Sequence, residues 1–245
     1  MLKKLYDKSR IWFAVAWIIA YCVLMSVGDE LSAKLGVEKS VTLAVGLLLS
    51  GALLLFLKKN TLFEAYGLCP AKVPVRSMLF YLPVLLMLSA NLWYGVTLNY
   101  GAVETALYIL SMFCVGFLEE VIFRGLLFNA MRKDSLKAAV IVSSVTFGIG
   151  HIVNLVNGSG AELLPNLLQI VYATAAGFMF VMMYLKNDSL IVCIAAHGLF
   201  NAISVFADES NVTTEMRILT CILLTVITGT YAAYLAWTMK GRKND

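Results

Sequence analysis

Eight long apolar runs constrain the fold of this chain more than any other feature of its sequence. A helix that crosses a membrane needs about 20 mostly apolar residues. Runs of this kind occupy residues 11–27, 40–57, 77–99, 105–131, 136–157, 163–185, 189–206 and 215–238. They are too long for strands and lack the alternation of membrane strands, whereas helices satisfy their own backbone hydrogen bonds in lipid. The sequence therefore predicts an all-α, polytopic membrane protein, a bundle of about eight transmembrane helices.

Composition supports a membrane environment. Of the 245 residues, 60% are hydrophobic and 14% are charged, whereas soluble domains are typically about 45–50% apolar and about 25% charged. The length is that of one compact domain, so we expect residues 1–245 to form a single transmembrane domain. No basic tract suits nucleic acid. We therefore expect membrane lipids, and no nucleic acid, among the partners.

The lysines and arginines between the runs test the number of spans. If both termini are cytoplasmic, fifteen of the nineteen Lys and Arg residues fall on the cytoplasmic side. Only Lys34, Lys39 and Arg217 fall on the other side, and Arg124 lies inside a run. This asymmetry obeys the positive-inside rule, and an odd number of spans would destroy it. The sequence predicts a multi-pass protein of the cell membrane with both termini cytoplasmic.

The fourth run contains three charged residues, Glu119, Glu120 and Arg124. Each charge at the centre of a bilayer costs roughly 2.5–3.5 kcal/mol, so these side chains must pair, face the bundle interior or meet water. Glu120 and Arg124 have the i, i+4 spacing of a helical ion pair. Glu119 is rotated from Glu120 by about 100° on an α-helix, so it does not take part in this ion pair and is free for another role. A plain ion pair at the helix end, with Arg124 reaching the interface, is the alternative, but it leaves Glu119 unexplained.

The two histidines of the chain, His151 and His197, both lie inside apolar runs and next to glycine. A single histidine in a span is more often a packing residue, but two buried histidines favour a functional site. His197 and Asn201 share a helix face at i, i+4. Counting residues along the runs predicts that these groups meet Glu119 in one cavity between the midplane and the cytoplasmic side. Residues 105–206 would then form the motif-bearing core.

These residue types fit two kinds of chemistry. A glutamate can act as the general base that activates water, while histidine and asparagine can donate hydrogen bonds to an oxyanion. Two imidazoles and a carboxylate, here Glu119, His151 and His197, could instead hold a zinc ion with a water. The spacing does not separate these alternatives. The H-E-x-x-H and G-x-S-x-G motifs of common hydrolases are absent.

Three short motifs together resemble a known family, the CAAX protease and bacteriocin-processing family, also called CPBP or Abi. It includes the type II CAAX prenyl endopeptidases. All three motifs are complete, occur in the family's order and cover roughly residues 117–201: Glu119-Glu120-x-x-x-Arg124, Phe147-x-x-x-His151 and His197-x-x-x-Asn201.

The resemblance implies an intramembrane endopeptidase that cleaves peptides or lipidated proteins, with bacteriocin processing or self-immunity as possible settings. Glu119 would be the general base, His151 would help to hold the water, and His197 and Asn201 would form the oxyanion hole. Glu120 and Arg124 would be a structural pair. The resemblance favours no catalytic metal or other cofactor, with zinc as the alternative.

Two other functions stay open. Intramembrane Glu, His and Arg side chains also form the relays of proton-coupled transporters, although the sequence has no internal repeat of the kind many transporters contain. A non-catalytic immunity or scaffold protein is the third hypothesis.

Overall fold

The computed structural model describes residues 2–73, 81–157 and 162–241. The elements follow the chain as α1 (Leu2–Lys8), α2 (Arg10–Leu35), α3 (Ser40–Lys59), α4 (Leu82–Ser89), α5 (Ala102–Glu119), α6 (Asn129–Met131), α7 (Leu136–Gly150), α8 (Leu163–Asn187), α9 (Ile191–Ile203) and α10 (Thr214–Gly241). A π-helical segment, Glu120–Phe128, joins α5 to α6, and short 3₁₀ turns occupy Glu64–Tyr66, Ala90–Leu92, His151–Leu155 and Ser204–Phe206. The described residues contain no strand beyond one isolated bridge between Val96 and Ala207.

The helices match the predicted apolar runs, although two of them are short. Among the described residues, six helices are long and apolar enough to cross a membrane: Arg10–Leu35, Ser40–Lys59, Ala102–Met131, Leu136–Leu155, Leu163–Asn187 and Thr214–Met239. The shorter apolar helices Leu82–Leu92 and Ile191–Phe206 fall at the predicted third and seventh spans. The predicted third span began at residue 77, and its first four residues lie outside the described part. The prediction of a polytopic helical membrane protein is confirmed.

Local backbone geometry explains where these two helices end. After Leu92 the chain reaches Gly95, whose φ of 130° lies outside the range of a helix. After Phe206 the chain becomes extended at Ala207, where it pairs with Val96. Turns at this end of the bundle therefore replace the last part of the predicted third span, whereas the seventh ends at Phe206 as predicted.

Although they are short, the two helices carry the chain from one face of the bundle to the other. We call the face that holds Arg10 the N-terminal face and the other the opposite face. Before the short helices, the Lys72 amide donates to Asn187 O at 3.0 Å on the N-terminal face. After them, the side chain of Asn99 donates to Val205 O at 2.9 Å on the opposite face. The alternation of loops predicted from the charges is therefore present in the described chain.

Glycines let the central helices approach closely. A Cβ added at Gly116 of α5 would lie 2.6 Å from the Gly198 nitrogen of α9. A Cβ added at Gly177 of α8 would lie 3.0 Å from the Cα of Ser144 on α7. Small residues at helix contacts are typical of membrane bundles because they let backbones approach closely. The first contact places two motif-bearing helices, α5 and α9, directly beside one another, and the second packs α8 against the third, α7.

Candidate active site

A completely buried ion pair forms the centre of the site. Arg124 Nη1 lies 2.9 Å from Glu120 Oε1, and both side chains have no exposed surface. The guanidinium carbon of Arg124 also lies 4.0 Å from the ring centroid of Phe147 and 5.5 Å from that of Phe180. The alternative of an ion pair at the helix end required Arg124 to reach the membrane interface. The buried guanidinium does not reach it. Its charge is balanced by one carboxylate and by two aromatic faces.

The pair lies on the π-helical segment, a feature that the sequence did not predict. All nine residues from Glu120 to Phe128 are buried. The side chain of Asn129 donates to Gly125 O at 2.8 Å, and Ser143 Oγ donates to Phe123 O at 2.9 Å. These bonds satisfy backbone carbonyls where the regular α-helical ladder is interrupted. Such wide turns are rare and frequently occur at functional sites.

Glu119, immediately before this segment, is held by partners from two other helices. Tyr21 OH on α2 donates to Glu119 Oε1 at 2.6 Å. Glu119 Oε2 lies 3.3 Å from His197 Nε2, within ion-pair range but without the alignment of a hydrogen bond. The side chain keeps 12% of its surface exposed, in contrast to Glu120. The two adjacent glutamates are thus distinct: Glu120 is sealed, and Glu119 faces a cavity.

His197 connects the two glutamates. Its Nδ1 lies 2.9 Å from Glu120 Oε1, and its Nε2 faces Glu119 Oε2. The imidazole stacks on Phe180 at 5.5 Å with an interplanar angle of 19°, which fixes the plane of the ring. With Nδ1 donating to Glu120, a second proton on Nε2 would face Glu119. The arrangement can therefore hold and pass a proton between His197 and Glu119.

His151 lies at the end of α7, where the helix tightens into the 3₁₀ turn His151–Leu155. Its Nδ1 lies 3.1 Å from Phe147 O, and its carbonyl accepts a hydrogen bond from the Asn166 side chain at 2.8 Å. The His151 ring packs edge-on against Phe147 at 5.3 Å. The backbone contact with Asn166 anchors the turn, while Phe147 separates His151 from the Arg124 guanidinium.

A cavity of about 290 Å³ brings Glu119, His151 and Asn201 together along its wall. A smaller space of about 40 Å³ is lined by His151, His197 and Asn201. The four residues that the sequence singled out as catalytic therefore surround one region of the bundle. Counting residues placed this region between the midplane and the cytoplasmic side, but the large cavity also reaches Asp29 and Lys39 on the opposite face.

Lys39 is the cation at that outer part of the cavity. Its Nζ lies 2.8 Å from Asp29 Oδ1 and 5.8 Å from the ring centroid of Tyr108. Burial by itself lowers the pKa of the Lys39 ammonium. The Asp29 carboxylate, with Tyr108 and Glu38, more than offsets this effect, so the pKa is raised above its usual value. Lys39 is thus held in its charged form beside Asp29.

The possible zinc ligands do not form a metal site. Within the described ranges, no three His, Cys, Asp or Glu side chains are grouped so that they could hold a metal ion. Both nitrogens of His197 face carboxylates, and His151 Nδ1 faces a backbone carbonyl. Glu119, His151 and His197 therefore do not fit a zinc ion in this arrangement.

Sequence reasoning missed Tyr21, Phe180 and the contact between Glu120 and His197. The motifs gave no signal for Tyr21, which lies 98 positions before Glu119 in an apolar run. Phe180 likewise lies in an apolar run between the second and third motifs. Only the packing of α2 and α8 against the motif-bearing helices reveals these two aromatic partners.

Comparison with known proteins supports the resemblance found in the motifs. Residues 101–203 match the family model described as type II CAAX prenyl endopeptidase Rce1-like. The match covers fewer than half of the residues and includes all three motifs, so over this part the chain is similar to a protease family of the predicted kind. No curated protein and no solved structure gives a significant match.

Proposed function

Because residues 101–203 match that endopeptidase family, we propose that the protein is an intramembrane endopeptidase that hydrolyses peptide bonds of membrane-associated or lipidated polypeptides. One observation carries the proposal: Glu119 is held by Tyr21 and His197 on the wall of a cavity that His151 and Asn201 also line. At about 290 Å³ the cavity is near the lower end of ligand pockets, so it admits a short extended segment rather than a folded domain.

Glu119 is the general base in this proposal. Its carboxylate removes a proton from a water in the cavity, and the resulting hydroxide attacks the carbonyl carbon of the scissile bond. The same proton then passes to the leaving amine. Tyr21 holds Oε1, which orients the carboxylate toward the cavity, and His197 Nε2 lies close enough to Oε2 to share the proton during the reaction.

His151 and Asn201 act on the substrate side of the cavity. His151 helps to hold the attacking water, and the amide of Asn201 donates to the oxyanion that forms on the substrate carbonyl. The family resemblance also assigns His197 to this oxyanion hole. For that role, the substrate oxyanion must form beside His197 Nε2, close to its 3.3 Å contact with Glu119, because Phe180 and Glu120 hold the ring in place.

Glu120 and Arg124 are positioning residues. Glu120 Oε1 accepts from both Arg124 Nη1 and His197 Nδ1 at 2.9 Å. Since Glu120 has no exposed surface, it does not touch substrate. Its role is to hold the His197 ring so that Nε2 points toward Glu119.

The decisive experiment is cleavage of a broad peptide library, lipidated and not, by the purified protein in detergent. Glu119→Gln keeps the shape of the side chain but removes the base. We expect it to reduce cleavage by at least a thousandfold, within the range of general-base effects of about 10²–10⁴, without changing thermal stability. Glu64→Gln, an exposed glutamate far from the cavity, is the matched control and should cleave normally.

A chelator arm tests the alternative chemistry. Cleavage that needs Glu119 and survives chelation supports the proposal, whereas cleavage that is lost with chelator and restored by zinc overturns the glutamate-only mechanism. Full activity of Glu119→Gln would overturn the role of Glu119. Absence of cleavage across the library, together with an unchanged cellular phenotype for Glu119→Gln, would favour a non-catalytic scaffold.

A further inference from the structure

The walls of the large cavity all run toward the same face of the bundle. On α2 the lining continues from Tyr21 through Met25 to Asp29, toward the end of that helix. On α5 it runs backwards from Glu119 to Tyr108, about 17 Å at 1.5 Å per residue. Since α2 ends and α5 begins on the opposite face, the cavity leads from Glu119 to that face.

Other elements of the wall agree. The 3₁₀ turn after α7 contributes Val153 and Asn154, and the turn after α9 contributes Ser204. Both turns lie at the opposite face, where Tyr108 OH and Ser204 Oγ lie 3.0 Å apart. The outer part of the cavity is therefore lined by the helix ends that lie at the opposite face, away from Arg10.

The N-terminal side of Glu119 is filled instead. Leu118, Ile122 and Phe128 have no exposed surface. Leu118 and Ile122 belong to the same cluster as Phe13 and Tyr66, which lie toward the N-terminal face. A route from the N-terminal face to Glu119 would have to pass through this packed layer.

The distribution of positive charge indicates which side of the membrane each face occupies. The described lysines and arginines of the N-terminal face are Lys3, Lys4, Lys8, Arg10, Lys58, Lys59, Lys72, Arg132, Lys133, Lys137 and Lys186. In the part of the chain that the structure describes, the opposite face carries only Lys34, Lys39 and Arg217. By the positive-inside rule, the N-terminal face is cytoplasmic and the cavity opens to the non-cytoplasmic side.

The opposite face is also acidic. Against its three cations stand eight carboxylates: Asp29, Glu30, Glu38, Glu104, Glu162, Asp208, Glu209 and Glu215. Four of these lie within ion-pair distance of a cation, as Asp29 lies 2.8 Å from Lys39. The excess of negative charge on this face as a whole attracts cationic polypeptides and repels anionic ones.

Resting on the proposed function, we propose that the site takes its substrates from the non-cytoplasmic side and that these are positively charged polypeptide segments. The feature that carries this inference is the continuous cavity from Glu119 to an acidic face that the charge asymmetry places outside the cytoplasm. A polypeptide confined to the cytoplasm does not reach Glu119 by this route.

Access is tested first, by thiol labelling that needs no catalysis. Ser26→Cys and Val153→Cys place a thiol on the cavity wall, while Glu64→Cys places one on the N-terminal face. A small, charged, membrane-impermeant thiol reagent is added to intact cells and again after the membrane is opened. Labelled positions are read by mass spectrometry, so the native cysteines stay in place.

We expect the cavity thiols to react in intact cells and Glu64→Cys to react only after the membrane is opened. Labelling of Glu64→Cys in intact cells overturns the orientation. Cavity thiols that react only after opening overturn the direction of the cavity. Two cavity positions protect the test against a variant that does not fold.

The substrate class is tested next, in sealed proteoliposomes sorted by orientation. Peptides with equal length and a net charge of +4 or −4 are added outside. We expect cleavage of the cationic peptide, at least tenfold faster at low salt than at 0.5 M, only where the opposite face points outward. Equal cleavage of both peptides overturns the charge preference. Cleavage of peptide added at the N-terminal face overturns the proposed side of entry but leaves the proposed endopeptidase activity intact. If the thiols are labelled as expected but no peptide is cleaved, the proposed endopeptidase activity is contradicted and the direction of the cavity is not.

Discussion

The contact between Gly116 and Gly198 makes a sharp test of the site geometry, because it fixes the distance between the two glutamates and His197. In Gly116→Ala the new methyl group would lie 2.6 Å from the Gly198 nitrogen, 2.7 Å from its Cα and 3.3 Å from the His197 carbonyl carbon. These are backbone atoms, so no side-chain rotation relieves the clash. Helix α9 must move away from α5.

The size of the movement follows from the distances. Ordinary van der Waals contact begins at 3.4 Å, so the Gly198 Cα must retreat by about 0.7 Å. If His197 moves with it, the 2.9 Å bond from Nδ1 to Glu120 stretches beyond hydrogen-bond range. A misplacement of 1 Å costs about 10²-fold in rate, so we expect cleavage to fall about ten- to a hundredfold.

The loss of stability should be limited. Overpacking costs about 1–3 kcal/mol, but alanine is about 1 kcal/mol better than glycine inside a helix. The net loss is therefore about 2 kcal/mol or less. The assay compares peptide cleavage and thermal unfolding in detergent for Gly116→Ala, with Gly51→Ala as control because a Cβ there meets nothing within 4 Å. Gly51→Ala should keep full activity, and wild-type cleavage by Gly116→Ala would refute the reasoning.

Three further predictions follow from the contacts of the site. Arg124→Met leaves the buried Glu120 carboxylate without its partner and should lower the unfolding free energy by about 3–5 kcal/mol; adding Glu120→Gln should recover part of that loss, and an additive loss in thermal unfolding would contradict the argument. Tyr21→Phe removes the 2.6 Å bond to the general base, so kcat should fall about tenfold, a change of about 1.4 kcal/mol in barrier, with KM unchanged; a wild-type kcat would show that Tyr21 does not orient the base. Lys39→Met should destabilise the protein by on the order of 1 kcal/mol at neutral pH, because a group with a raised pKa stabilises the fold below its unfolded pKa and loses that effect as the pH rises through its folded pKa. The difference in melting temperature between Lys39→Met and wild type should shrink as the pH rises above about 10, and a constant difference would contradict the electrostatic origin.

The helical architecture could be predicted because lipid leaves few alternatives. Long apolar runs must be helices in a membrane, and each predicted run has its helix in the described chain. Hydrophobicity does not report where a helix stops, however. The φ of 130° at Gly95 and the bridge between Val96 and Ala207 end the third predicted span early, through a local turn that an average over about 20 residues cannot resolve.

The site could be predicted only in part, for a similar reason. The i, i+4 spacing identified the pair of Glu120 and Arg124, which the structure holds at 2.9 Å. An α-helical count does not predict a π-helical segment, because its extra residue per turn depends on neighbours such as Asn129 that supply hydrogen bonds to the carbonyls. The contact of His197 with both glutamates depends on the close crossing of α5 and α9, which spacing along one helix does not encode.

The buried π-helical segment has a consequence for the cell as well as for the site. A water-filled cavity inside a membrane protein thins the electrical insulation between two compartments that differ in voltage. Here the nine residues from Glu120 to Phe128 are all buried, and their one full ion pair is internally compensated. Ions that entered the cavity would meet this packed layer, so we expect Glu119 to meet water without a leak of ions across the membrane.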